Sequence, residues 1–291
     1  MSGQLYLLPC PISEAPALDA LPASTVETAR RIDHFLVEAA RTARATLKAM
    51  GHPKPSAELD IVEIGHDPAP ELISEWLQPV LDGADAAVLS ESGCPGVADP
   101  GAQIAARAHE LGIRVVPLTG PSSILLTLMA SGLDGQRFRF SGYLPKHDAE
   151  RRAAILAAEK ASRASETQLF IETPYRNTAL LDALLETLAP DTRLTVAIDV
   201  TGQNESIRTL TAAAWKAIPK AMRTLPKLPT VFAFLAKPGK TAPRYAPECA
   251  GGKRAHTAPS SKPAVLNNRP KQAYKTHRPE GSPVKTPKGG R

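Results

Sequence analysis

The 291-residue chain contains no apolar run approaching the roughly 18 residues that a membrane-spanning helix requires. Residues 1–8 lack the basic stretch and long apolar core of a secretory signal. Cysteine is scarce. Cys10, Cys94 and Cys249 are too few and too scattered for a disulfide framework, and none forms the paired spacing of a metal site. His34, His52, His66, His109 and His147 show no ligand spacing either, so no metal is expected. Neither a Walker sequence nor a GxGxxG fingerprint occurs, which disfavours phosphate or dinucleotide binding of those kinds. With 43% hydrophobic residues, the chain reads as a soluble protein of a reducing cytoplasm, long enough for two modest domains.

The formal net charge of +6 is unevenly spread. From Lys237 onward there are eight Lys, five Arg and only two Glu, a net +11, so the preceding residues carry −5. The basic character therefore belongs to the tail. Nine prolines, six glycines and a single adjacent pair of large aliphatics, Val265 and Leu266, predict a disordered segment for residues 237–291. Its basic residues are interleaved with Pro, Thr, Tyr245 and Tyr274. That pattern suits a phosphate backbone, and it equally suits a solubilising appendage.

The remaining chain alternates short aliphatic runs with longer runs at helical spacing, the grammar of parallel βαβ units. Strands are expected at residues 4–8, 61–64, 86–90, 114–118, 138–141, 167–171, 194–199 and 231–235. A long amphipathic helix is expected to open on a capping box, Ser24-Thr25-Val26-Glu27. Its apolar face would be Ile32, Phe35, Leu36, Ala39, Ala43, Leu47 and Met50, and it would stop at Gly51. Further helices are expected over 102–111, ending at Gly112, and from Pro121 to Gly132. The fold class is thus α/β, with one lobe over residues 1–120, a second over 121–236 and the tail beyond.

In such sheets ligands gather in the loops after the C-terminal ends of strands, where helix N-termini and free amides converge. Four loops of this kind stand out: Pro9-Cys10-Pro11-Ile12-Ser13, residues 90–101, Thr119-Gly120-Pro121-Ser122-Ser123, and Glu172-Thr173-Pro174-Tyr175-Arg176. The second is dense in Gly and Pro, which means a fixed course with close backbone approach, either to a ligand or to another part of the chain.

These segments, in this order, resemble the tetrapyrrole-methylase superfamily, and in particular its ribosomal RNA small-subunit 2′-O-ribose methyltransferase branch. The resemblance covers residues 4–235 and rests on five matches. They are Tyr6-Leu7-Leu8-Pro9-Cys10-Pro11-Ile12, the 90–101 loop, Thr119-Gly120-Pro121-Ser122-Ser123, the 141–152 segment from Ser141-Gly142-Tyr143-Leu144-Pro145 to Glu150-Arg151-Arg152, and Ile171-Glu172-Thr173-Pro174-Tyr175-Arg176. It implies two α/β lobes with S-adenosylmethionine in the cleft between them, a homodimer, and methyl transfer to RNA. Carried over by position, the cofactor would touch Pro11, Gly93, Cys94, Val97, Ser122, Ser123, Glu172, Ala197 and Thr230.

The chain departs from that branch at three places. The usual Glu-Asp pair ahead of Thr-Arg-Arg reads Val37-Glu38-Ala39-Ala40-Arg41-Thr42-Ala43-Arg44, with one carboxylate lost. The Gly-Asn that usually follows the first motif is Ser13-Glu14, and the usual Arg-Glu-Leu-Thr-Lys run is Ile198-Asp199-Val200-Thr201-Gly202. A small-molecule methyltransferase and a non-enzymatic RNA-binding protein therefore stand as alternatives to an RNA methyltransferase. A hydroxyl acceptor must lose its proton, and Glu38 is the candidate acceptor of it, unless it is an ordinary helix-surface partner of Arg41. Arg41 and Arg44, with Lys48, share a helical face that suits phosphates or plain solvent. Tyr175 and Arg176 are candidate substrate contacts. Cys94 has no nearby histidine to activate it as a nucleophile.

Overall fold

The computed structural model describes residues 2–14 and 16–238. The expected tail lies outside the described residues, apart from Lys237 and Pro238. The first half holds β1 (Gln4–Leu8), α1 (Ala17–Ala20), α2 (Ala23–Ala29), β2 (His34–Val37), α3 (Ala40–Ala49), β3 (Asp60–Glu63), α4 (Pro70–Trp76), α5 (Gln78–Leu81), β4 (Ala86–Leu89), α6 (Ala102–Glu110) and β5 (Arg114–Pro117). Its five strands form a wholly parallel sheet in the order β3-β2-β4-β1-β5. Helices cover both faces, and β2 and β4 are consequently buried at every position rather than at alternate ones. In β2, Phe35 and Val37 pack with Val26, Ala43 and Leu47 of α2 and α3, while Leu36 faces Ile73, Ile104 and Ala108 of α4 and α6.

The expected single helix over residues 24–50 does not form. The chain instead runs α2, a turn, β2 and then α3. Four consecutive buried residues, His34 to Val37, would occupy the whole circumference of a helix, but they fit a strand covered on both faces. The capping box is not formed. Ser24 lies inside α2, whose N-cap is Pro22 without a side-chain bond. Thr25 Oγ1 instead donates 2.8 Å to the Thr119 carbonyl and ties α2 to the loop after β5.

The second half holds α7 (Ser123–Ser131), β6 (Phe138–Tyr143), α8 (Asp148–Ser162), β7 (Thr167–Glu172), α9 (Asn177–Thr187), β8 (Arg193–Ile198), β9 (Ser206–Thr211), α10 (Ala212–Ala217) and β10 (Thr230–Leu235), with short 3-10 turns at Pro174–Arg176 and Lys220–Arg223. The sheet order is β6-β7-β10-β8-β9. Only β6 and β7 are parallel, and the other three pairings are antiparallel, so the expected parallel grammar fails in this half. The cause is chain connection. β8 turns back into β9 within seven residues, which is too short for a crossover helix. On one face Phe170, Val196, Phe232 and Phe234 pack with α8, α9 and α10. On the other, Leu169, Ala197, Val231 and Ala233 pack with Ile124 and Leu128 of α7. Ile12, from the loop after β1, joins this second cluster and links the two sheets.

Candidate active site

Because β10 runs antiparallel to β7 and β8, its first residue, Thr230, lies beside the last residues of those strands, Glu172 and Ile198. That edge faces the loops leaving the parallel sheet. Between them is a cleft of about 320 Å³, within the roughly 300–1,000 Å³ usual for small-molecule sites. One wall carries Ile12, Gly93, Cys94, Val97, Asp99, Ser122 and Ser123. The other carries Tyr143, Glu172, Val200 and Thr230.

The 90–101 loop holds its course through backbone contacts. Cys10 and Gly93 exchange N–H···O bonds of 2.8 and 3.2 Å, pinning the loop to the end of β1. Gly93 has φ +74°, which L side chains rarely adopt. At Gly101, with φ +125°, a Cβ would stand 3.1 Å from the Gly96 nitrogen. The close approach expected from the Gly and Pro content is thus at least partly an approach of the chain to itself. On the opposite wall, fully buried Asn177 donates from Nδ2 to the Leu228 carbonyl (2.8 Å) and to Thr230 Oγ1 (2.9 Å), which fixes the entry into β10.

Of the nine cofactor candidates, Gly93, Cys94, Val97, Ser122, Ser123, Glu172 and Thr230 line this cleft. Pro11 lines an adjoining groove of about 370 Å³ that shares Ile12, Ser92 and Pro229 with it. Ala197 sits behind the wall, fully buried in β8 across from Val231. Glu172 Oε1 accepts from the Thr173 N–H at 2.7 Å. Its buried Oε2 has no hydrogen bond, although Arg176 Nη2 comes within 3.2 Å without the alignment for one. The contact is an ion pair to a fully buried carboxylate. Tyr175 is 81% exposed, with the Lys227 ammonium 5.2 Å from its ring centroid.

Asp99 and Tyr143 also border a second pocket of about 470 Å³, together with Glu38, His66 and Gln103. The strand order explains this grouping. β3, β2 and β4 are neighbours and parallel, so the loops after them, carrying His66, Glu38 and Glu91, leave the same edge side by side. Glu38 follows β2 directly and is buried, not displayed on a helix beside Arg41 as the sequence suggested. Its Oε2 accepts from the Glu91 N–H (3.1 Å), and its Oε1 lies 2.5 Å from His66 Nδ1. Burial, followed by the charges of Glu38 and Glu91, pushes the Asp99 carboxyl from 3.8 up to about 6, with His66 acting in the opposite sense. Burial and then Asp99 raise the Cys94 thiol, which keeps it protonated and unsuited to attack.

Arg41, Arg44 and Lys48 are exposed on α3, which begins two residues after Glu38 and touches Glu91 through Thr42 Oγ1 (3.0 Å). Sequence reasoning missed His66, Asp99, Tyr143 and Asn177 as site residues. The rule of loops after strand ends would have reached His66 had the loop after β3 been included.

Residues 17–215 match the family model described as tetrapyrrole (corrin/porphyrin) methylases. The chain belongs to this family. A ribosomal RNA small subunit methyltransferase I from Mesorhizobium japonicum is 33% identical over 210 residues, which are 72% of this chain and 68% of that protein. The protein of the same name from Vibrio cholerae is 29% identical over 205 residues, 70% of this chain and 67% of the relative. Among solved structures, the methyltransferase CobJ superposes with a TM-score of 0.55 at 16% identity, covering 81% of this chain and 95% of that one. As a tetrapyrrole methylase the chain is an S-adenosylmethionine-dependent methyltransferase. The cleft fits that cofactor in size, in its small and backbone-rich wall, and in the half-buried Asp99 carboxyl that borders it.

Proposed function

We propose that this methyltransferase acts on ribosomal RNA, at the 2′-hydroxyl of a ribose. The observation that carries the reading is the adjacency of the two pockets. The cleft that fits the cofactor shares Ala98, Asp99 and Tyr143 with an ionisable pocket, and a helix with three exposed basic side chains begins beside Glu38. The names of the relatives support an RNA acceptor.

In this reading Gly93, Cys94, Val97, Ser122 and Ser123 hold the cofactor from the lobe of residues 1–120. Glu172 and Thr230 hold it from the lobe of residues 121–236, with Pro11 and Ala197 supporting the walls. S-adenosylmethionine supplies a methyl group on a positively charged sulfonium. Enclosure by both walls excludes water from the reacting centre, and alignment of the acceptor supplies much of the rate. Glu38 provides the negative charge that draws the hydroxyl proton away. Arg41 and Arg44 meet backbone phosphates, Tyr175 and Arg176 lie along the RNA path at the far rim, and the basic tail adds contacts of the same sequence-independent kind. The protein works in the cytoplasm as a homodimer.

Mass-spectrometric mapping of ribose methylation in small-subunit RNA from cells with and without the gene tests the reading. One 2′-O-methyl mark should vanish on deletion and return when the purified chain and S-adenosylmethionine are added to the unmodified RNA. Identical maps would reject it.

A further inference from the structure

The acceptor pocket contains an imidazole whose position suggests more than a surface role. The Glu38 side chain is 5% exposed; its Oε2 accepts from the Glu91 N–H, and its Oε1 stands 2.5 Å from His66 Nδ1, a close contact without hydrogen-bond alignment. A carboxylate buried in this way is far less open to an incoming hydroxyl than the exposed imidazole beside it. The His66 side chain is 83% exposed, lines the pocket beside Asp99 and Tyr143, and has Nδ1 turned toward the Glu38 carboxylate. Nε2 is the nitrogen left for a substrate.

We propose that His66 is the proton acceptor of the methyl transfer and that Glu38 is a positioning residue acting through it. The inference rests on the reading that the acceptor is a hydroxyl. A carboxylate beside Nδ1 favours the tautomer with its proton on that nitrogen, which presents the Nε2 lone pair, the arrangement a general base requires. The sheet fixes the pair. Val37 and Glu63 are in register at the ends of β2 and β3, and the Ile64 N–H bonds the Val37 carbonyl at 2.8 Å, so the two loops leave together. Besides Glu38, the titratable groups around the imidazole are Asp99 from the loop after β4 and Tyr143 from β6, with Glu91 behind Glu38 and Asp67 next in the chain.

In the step, the acceptor O–H bond breaks and its proton passes to Nε2. An O–CH3 bond forms as the C–S bond breaks, and that electron pair stays on sulfur. The Glu38 carboxylate offsets the charge of the resulting imidazolium until the exposed ring returns its proton to water.

The test compares the full chain with His66→Gln, Glu38→Gln and the double variant in single-turnover methylation of small-subunit RNA across pH. S-adenosylmethionine affinity serves as the folding control. His66→Gln should slow the step by about 100-fold or more, the usual scale of a lost general base. It should also alter the pH dependence of the rate, which a purely structural role for the ring would leave unchanged. Glu38→Gln should cost less, and the double variant should be no slower than His66→Gln, because Glu38 works only through the ring. A wild-type rate for His66→Gln, or losses that multiply in the double variant, would overturn the assignment. If the wild-type chain does not methylate this RNA, the substrate reading fails instead. The pair is then decided by the nitrogen-15 spectrum of His66, where an Nε2–H tautomer in the wild-type protein refutes it and an Nδ1–H tautomer lost in Glu38→Gln supports it.

Discussion

Replacing Asp99 with Asn should make the protein more stable at neutral pH while weakening its hold on S-adenosylmethionine. The folded state raises this carboxyl from 3.8 to about 6, chiefly by burial and then through Glu38 and Glu91. A raised carboxyl binds its proton more tightly when folded, so it costs nothing in acid, where both states are protonated. The penalty grows as the pH climbs from about 4 to about 6 and is complete above that. Taken at face value the shift corresponds to about 3 kcal/mol. Asp99 is only half-buried and water screens it, so about 1–2 kcal/mol is the magnitude expected. Asn keeps the shape and removes the charge. Urea unfolding of both proteins from pH 8 down to pH 4 should show the variant ahead at pH 8 by that amount, with the gap closing toward pH 4. Calorimetry should show weaker cofactor binding, since a negative group has been removed from the wall of the cleft. A gap that is independent of pH, or a variant less stable at pH 8, would refute the electrostatic reasoning.

Val97→Trp fills the cleft from a side chain that is 46% exposed, so S-adenosylmethionine affinity measured by calorimetry should fall more than 10-fold, while stability stays within about 0.5 kcal/mol. Asn177→Ala removes both bonds that fix the entry to β10 and leaves the Leu228 carbonyl without that donor. Urea unfolding should register a loss of about 2–3 kcal/mol, and unchanged stability would mean that the strand entry is held by other contacts. Arg41→Ala with Arg44→Ala should weaken RNA binding evenly across sequences and reduce the slope of log affinity against log salt by about 2, with cofactor affinity unchanged; an unaltered slope would remove α3 from the RNA path.

The strands read correctly from sequence were those whose local signal and tertiary environment agree. β1, β4 and β5 are short aliphatic runs closed by Pro or by Gly-rich loops, and both faces of β1 and β4 are covered in the fold. β9 was missed because Ser206–Thr211 holds only Ile207 and Leu210 as aliphatics, which is enough for an edge strand half open to water but too few to stand out. The antiparallel course of β8, β9 and β10 follows from connection length and from which strand fills the centre of the sheet. Neither is a property of any short window.

The error over residues 24–50 explains why the Glu38–His66 contact was not legible. Ile32, Phe35, Leu36, Ala39, Ala43 and Leu47 fall at intervals of three and four that a single amphipathic helix would satisfy, and periodicity cannot separate that helix from a strand followed by a helix. Read as helix, Glu38 is a surface carboxylate with Arg41 one turn on, and His66 is an unrelated loop residue. Read as strand, residues 34–37 place Glu38 at the C-terminal edge of a parallel sheet. Once β2 is set between β3 and β4, that same edge carries His66 on one side and Glu91 on the other. The loops after β1, β4, β5 and β7 could be found one at a time, because Gly and Pro mark a constrained backbone locally. The pairing of Glu38 with His66 depends on strand order, which is decided by how two layers of helices close over the sheet. Four residues assigned to the wrong kind of element were therefore enough to hide it.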